Sequence, residues 1–332
     1  MEILVSELVE GMIVSEDVYS HRGELVVGAG LKITQQLIRK LDEYDVPTVR
    51  VLVSGSKEIS QTKPFVVDKS ETQIAYEQSV KRFKELFNSI RFGRHVAIGE
   101  IEDIVSPLIQ QVTSNRGVVR QLWQLETCDL YTFDHSVTVS LTAALLGRWL
   151  KCDEETLKTI AIAGLMHDIG KVNIPDEILN KPGALTDDEM KVMKTHATLG
   201  YVLLMNQKTV SDDIMQAVLQ HHERYDGLGY PAGTKGEAIH PIARIVAIAD
   251  IFCAMTTKRV YREASNPFQV AKQMLDESYG YLDPKLTHIF LSRISNYYVG
   301  NVIKLSDGRV GEVVMIHKSS PHRPLIRCDE LF

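Results

Sequence analysis

A chain of 332 residues, with 44% hydrophobic and 24% charged side chains, is large enough for one sizeable domain plus smaller modules and has the balance of a globular protein. Its formal net charge of -6 argues against a general partner for nucleic-acid polymers. No apolar run reaches the roughly 18 residues needed to cross a bilayer, and the acidic start MEILVSELVEGM lacks the cationic head of a secretory leader. Cys128, Cys152, Cys253 and Cys328 show no C-x-x-C spacing, the usage expected of reduced thiols in a cytoplasmic protein.

Taken in order, residues 1–55 read as a small α/β module. MIVSEDVYS and GELVVG are strand-like around a polar turn at His21-Arg22-Gly23. Thr34 is placed to cap a helix carrying Leu37, Ile38 and Leu41, and VPTVRVLV returns as a strand. No chemistry is visible here; packing or the sensing of a signalling partner is the expected role. Residues 56–114 read as a linker followed by connecting helices. Ser70 and Gln73 fit a capping box, and apolar stripes run through Ile74, Val80, Phe83, Phe87 and Ile90 and, after Gly99, through Ile101, Ile104, Val105, Leu108 and Val112. Those stripes suit a core or the pairing of two chains in a homodimer.

Residues 115–298 read as consecutive helices, with start signals at Thr186/Glu189, Asp212-Asp213, Asn266-Pro267 and Asp283-Pro284. From residue 299 the pattern turns to strands, with Asp307-Gly308 as a hairpin signal and PLIRCDE as a third strand. The fold class expected is mainly α, with a small α/β module before the helices and a short β segment after them.

The chemistry lies in the helical region. IAIAGLMHDIGKVNIP runs as an apolar helix into His167 and Asp168, and Gly170 and Pro175 close it. His135, His196, the pair His221-His222 and Asp250 share the apolar faces of four further helices. Singly, each has an ordinary reading as a hydrogen-bonded core residue. Together, five histidines and two aspartates would need separate polar partners inside one helical core, whereas a metal centre satisfies all of them. Seven ligands exceed what one ion takes, so two divalent ions bridged by Asp168 are expected. Imidazole and carboxylate donors suit Fe, Mn or Zn. Two such ions can hold a bridging hydroxide and polarise a phosphoryl oxygen, the chemistry of phosphoester hydrolysis. Lys171, four residues after His167, reaches back toward the centre. Gly227, Gly229 and Pro231 form a loop that can approach a ligand, with Tyr230 offering a ring or hydroxyl. Arg259 and Arg262, three apart, can fork onto phosphate oxygens.

These elements resemble the HD-GYP family, a branch of the HD phosphohydrolases. The resemblance rests on His135, the HDIGK run from His167 to Lys171, His196, the HHERYDGLGYP run from His221 to Pro231, Asp250 and the later KRVYR. It implies an all-helical, metal-dependent phosphodiesterase that opens cyclic di-GMP to the linear dinucleotide, GMP or both, usually with iron or manganese. It implies His135, His167, Asp168, His196, His221, His222 and Asp250 as ligands, Lys171 beside the hydroxide, Arg259 and Arg262 on phosphate, and the loop with Gly229 and Tyr230 shaping the pocket. One position departs. Some members place a glutamate four residues before the first histidine ligand to help hold a third metal; here Tyr131 stands there and supplies no carboxylate. Asp134 lies about a quarter turn from His135. Two metals are therefore expected. The competing readings are a hydrolase of a hybrid cyclic dinucleotide or a linear nucleotide, and a receptor that binds the dinucleotide without cleaving it.

Overall fold

The computed structural model describes residues 2–5, 8–19, 25–44, 46, 48–52, 71–95, 97–114, 131–207, 210–256, 267–277, 280–299, 302–305, 307–317 and 319–328. The architecture is mainly helical, as expected. The chain divides into two units, one of residues 1–68, 298–315 and 325–332, the other of 69–297 and 316–324.

In the first unit, β1 (Glu2–Leu4), β2 (Ile13–Val14), β3 (Val18–Tyr19) and β4 (Leu25–Val27) precede α1 (Gln35–Glu43) and β5 (Thr48–Leu52). β5 is central, antiparallel to β1 with Ile3 opposite Val49 and to β2 with Val14 opposite Val51. The sequence pattern showed the later strands but not β1, whose three residues are too few to display a period. Thr34 accepts the Leu37 amide at 3.2 Å, the expected cap. Val14, Ile33, Leu41, Val49 and Val51 form the small core. The turn at His21-Arg22-Gly23 lies outside the described residues.

The second unit holds α2 (Glu71–Arg91), α3 (Ile98–Ser114), α4 (Tyr131–Trp149), α5 (Glu154–Met166), the short α6 (Asp176–Leu179), α7 (Asp187–Lys194), α8 (His196–Met205), α9 (Asp212–Gln220), α10 (Pro241–Thr256), α11 (Pro267–Glu277) and α12 (Pro284–Ile294). Sequence signals mark several of the ends. Thr186 and Glu189 close the reciprocal capping box. Asp283 accepts the Lys285 and Leu286 amides at 3.0 Å each, with Pro284 in the first turn. Ser70 and Asn266 fall outside the described residues. The stripes of α2 and α3 are spent inside the unit: Phe83, Phe87, Ile90, Ile101, Val105, Leu108 and Val112 are buried in one core with Leu141, Leu145, Ile160, Leu165 and Val246. Each such side chain contributes about 1.5–3 kcal/mol on burial. Phe83, Phe87 and Phe133 meet edge to face with centroids 5.3–6.3 Å apart, fixing α2 against the start of α4.

After the helices come β6 (Val302–Lys304), β7 (Val310–His317) and β8 (Ser320–Arg327), in the order β6-β7-β8. Gly308, at φ 89°, makes the turn expected at Asp307-Gly308. Among the described residues Cys152, Cys253 and Cys328 form no disulfide, and the Cys253 thiol donates to the Thr142 hydroxyl; Cys128 lies outside the described residues. Among the described residues no helix is long and apolar enough to cross a membrane.

Candidate metal centre

Five of the seven candidate ligands, His167, Asp168, His196, His221 and His222, sit at helix ends or in the turns beside them rather than within helices. α5 stops at Met166, His167 is its C-cap and Asp168 lies in the turn before a 3-10 helix at Ile169–Asn173. His196 opens α8 after a break at Thr195, and His221 is the C-cap of α9. The apolar pattern runs on through the His167-Asp168 pair and from Met193 through His196 to Gly200, yet the structure ends a helix at both places. The physical reason for the breaks is in the backbone. The last carbonyls of a helix have no amide partner within it. The Nδ1 of His167 hydrogen-bonds the carbonyl of Gly164, that of His196 the carbonyl of Met193, and that of His221 the carbonyl of Val218, each at 2.7 Å and each three residues back. A ring held through Nδ1–H keeps its Nε2 lone pair free and aimed.

Close packing brings these ends together. A Cβ on Gly170 would strike the backbone of His196 and Gly200, so only glycine lets the HDIGK turn lie against the start of α8. Asp168, His196, His221 and His222 form one group of potential ligands, and His135, His167 and Asp250 a second; within each group the ligand atoms all lie within 4.8 Å of one another. Asp168 faces both. Its Oδ1 is 3.3 Å from His196 Nε2 and its Oδ2 is 3.3 Å from His167 Nε2. His135 Nε2 is 2.9 Å from Asp250 Oδ1, and His196 Nε2 is 3.3 Å from His221 Nε2.

The electrostatics suit cations. Burial pushes His221 well below the ordinary imidazole range and His222 down to about 4, and it lowers His196 despite Asp168. These rings are neutral donors at pH 7. Burial opposes charge on Asp168, yet Lys171, His167 and His196 hold it well below the carboxylate range; His135, His167 and His222 do the same for Asp250. His167 moves the other way: burial lowers it, but Asp168, Asp250 and the Gly164 carbonyl together raise it by more. Its Nε2 is buried without a hydrogen-bond partner. An orphaned ring nitrogen, between two ionised carboxylates and among neutral imidazoles, is a donor set that a pair of divalent ions would complete.

Around the centre, Lys171 Nζ is 2.6 Å from Asp168 Oδ2, as its position four residues after His167 led one to expect. The ring of Tyr230 lies 4.7 Å from that of His222 at 30°, close to stacked. Gly229 packs against the backbone of His222, Glu223 and Arg224, where no Cβ fits. Glu223 carries no role in the sequence reading, yet it is buried and accepts the amides of Ala232 at 2.8 Å and Thr234 at 3.0 Å. A carboxylate directly after a histidine pair and before a glycine-rich run was the available signal. Arg224 forks onto Asp226 and lies 3.4 Å from the Tyr281 ring, while the Tyr225 and Asp226 amides donate to the carbonyls of Tyr281 and Gly280 at 2.9 and 2.7 Å. Arg259 and Arg262 lie outside the described residues, as does the Tyr131 side chain. Asp134 is engaged by the Tyr76 hydroxyl, which lies 3.1 Å from its carbonyl and 3.5 Å from its carboxylate.

An HD domain family description matches residues 105–286, more than half the chain and all seven candidate ligands. The chain belongs to the HD domain family. Its HDIGK and HHERYDGLGYP runs are those of the HD-GYP branch. This HD-domain chain is 34% identical over 242 residues to a cyclic di-GMP phosphodiesterase of Pseudomonas aeruginosa, covering 73% of this chain and 58% of the relative. It is 34% identical over 242 residues to a cyclic di-GMP phosphodiesterase response regulator of Xanthomonas campestris, covering 71% and 64%. A 3'3'-cGAMP-specific phosphodiesterase of Vibrio cholerae is 38% identical over 172 residues, covering 51% and 39%. The chain thus spans about three-fifths of the length of the first two relatives. A Bdellovibrio bacteriovorus protein described as HDG"Y"P superposes with a TM-score of 0.57 over 87% of this chain and 97% of its own, at 17% identity, a likeness of fold.

Proposed function

We propose that the chain is a cyclic di-GMP phosphodiesterase whose centre holds two divalent ions, iron or manganese before zinc. The observation that carries this reading is Asp168, which turns one carboxylate oxygen toward each ligand group. In it, His196, His221 and His222 would hold one ion, His135, His167 and Asp250 the other, and Asp168 both. When bound, such a pair supplies Lewis-acid polarisation of a phosphoryl oxygen and an activated water.

The chain's own residues do the rest. His196, His221 and His222 stay neutral because they are buried, so they donate lone pairs instead of repelling cations. Lys171 screens the Asp168 charge and puts an ammonium where phosphoryl oxygens would gather. Tyr230 and the strapped loop wall the site and limit water. Arg259 and Arg262 would hold phosphate. The first unit would couple the site to a signalling partner, and two chains would associate as a homodimer.

Protein reconstituted anaerobically with iron or manganese and incubated with cyclic di-GMP should yield the linear dinucleotide or GMP by chromatography. Intact substrate beside fully loaded metal would refute the reading. The Vibrio cholerae relatives named for 3'3'-cGAMP favour a second one, cleavage of the hybrid GMP–AMP ring. Comparing kcat/KM for the two rings separates them.

A further inference from the structure

Resting on the proposed cyclic-dinucleotide reading, we infer that Lys194 is a specificity-determining residue that takes the phosphate not being cleaved, using the Tyr230 ring as its resting place. The neighbouring lysines are committed to carboxylates: Lys171 to Asp168, Lys181 to Glu189 and Lys191 to Asp188, at 2.5–2.7 Å. Among the described residues Lys194 has no carboxylate partner. Its exposed ammonium lies over the Tyr230 ring, 5.2 Å from the centroid.

Tyr230 is in turn near-stacked on His222, so one ring neighbours both the ammonium and a candidate ligand. Lys194 is also well fixed for such a role. It ends α7, where the helix C-terminus favours a cation, and it lies two residues from His196, whose backbone is packed on Gly170.

A cyclic dinucleotide carries two phosphates in one covalent ring. With one at the ligand cluster, the other is held a short way outside it and needs a cation there. A phosphate oxygen is a charged acceptor and binds an ammonium more strongly than an exposed aromatic face does. Binding the second phosphate would move Lys194 off the ring and bare the Tyr230 face to a base. A diester with a single phosphate makes no such demand.

The test uses the full chain loaded with manganese, with Lys194→Ala and Lys194→Arg, assayed on cyclic di-GMP and on bis(p-nitrophenyl) phosphate. For Lys194→Ala the KM for cyclic di-GMP should rise about tenfold, the size of one charge-assisted contact, with kcat within about twofold of wild type. Metal content should be unchanged, the KM for the single-phosphate diester should rise far less, and Lys194→Arg should recover most of the loss. An unmoved KM for cyclic di-GMP, or equal rises on the two substrates, would overturn the inference while leaving the proposed function in place. Wild-type protein that cleaves the single-phosphate diester but not cyclic di-GMP would overturn the substrate reading and this inference with it.

Discussion

At the scale of single residues, the centre is a solution to a burial problem. Seven titratable side chains converge beside an apolar core, where burial holds His196, His221 and His222 neutral and facing groups hold Asp168 and Asp250 ionised. Three imidazoles are tied by Nδ1 to the spare carbonyls of helix ends. Two aspartates stay ionised because histidines and Lys171 face them. A pH dependence follows for the metal-free chain. His196, His221 and His222 have folded pKa values below the unfolded 6.5, with His222 at about 4. Between about pH 6.5 and 4 the unfolded chain binds protons that these rings refuse, so stability falls as the pH falls through that window. His167, raised, opposes this, but it is one ring against three. The aspartates, depressed, contribute a constant amount until the pH drops below their ordinary range near 3.9. Chelator-treated protein should therefore melt at lower temperature at pH 5 than at pH 7.5. An equal or higher midpoint at pH 5 would mean that the rings are not buried neutral.

At the scale of elements, the site is held by ends and turns. The loop after His222 is strapped from inside by Glu223 and from outside by Arg224, Gly280 and Tyr281. Glu223→Ala leaves two backbone amides without their acceptor, a cost of about 2–4 kcal/mol. It should lower the melting temperature and raise the KM for cyclic di-GMP while the metal content stays whole; an unchanged KM would deny the loop a part in binding. These elements also show what the sequence reveals and what it hides. The convergence of the seven candidate side chains was legible because histidines and aspartates on apolar faces need partners. The helix starts at Thr186 and Asp283 were legible because caps are local chemistry. The breaks at Met166 and Thr195 were not, because the side chains that end those helices bond to carbonyls three residues back, and the apolar period runs on across the break. Glu223 was hidden for a related reason: its partners are backbone amides nine and eleven residues away, which no spacing rule marks.

At the scale of the whole molecule, one chain carries two separate cores. The helical unit buries a single large core from α2 to α12 and sets the ligands in it. The other joins residues from both ends of the chain: Lys40 on α1 pairs with Glu312 on β7 at 3.3 Å, and Glu312 also pairs with Arg327. Sequence order alone separates those ends, which is why the modules before and after the helices read as two. The HD match covers residues 105–286, within the helical unit, and the regulatory task proposed for the other unit has its own core to act through. All of this depends on the two ligand groups holding two ions through Asp168. Elemental analysis of full-length protein after anaerobic reconstitution with iron or manganese is the most direct measurement. The account predicts two ions per chain in the wild type and their loss, with hydrolysis, in Asp168→Ala; one ion or none in the wild type, or full occupancy and activity in Asp168→Ala, would contradict it.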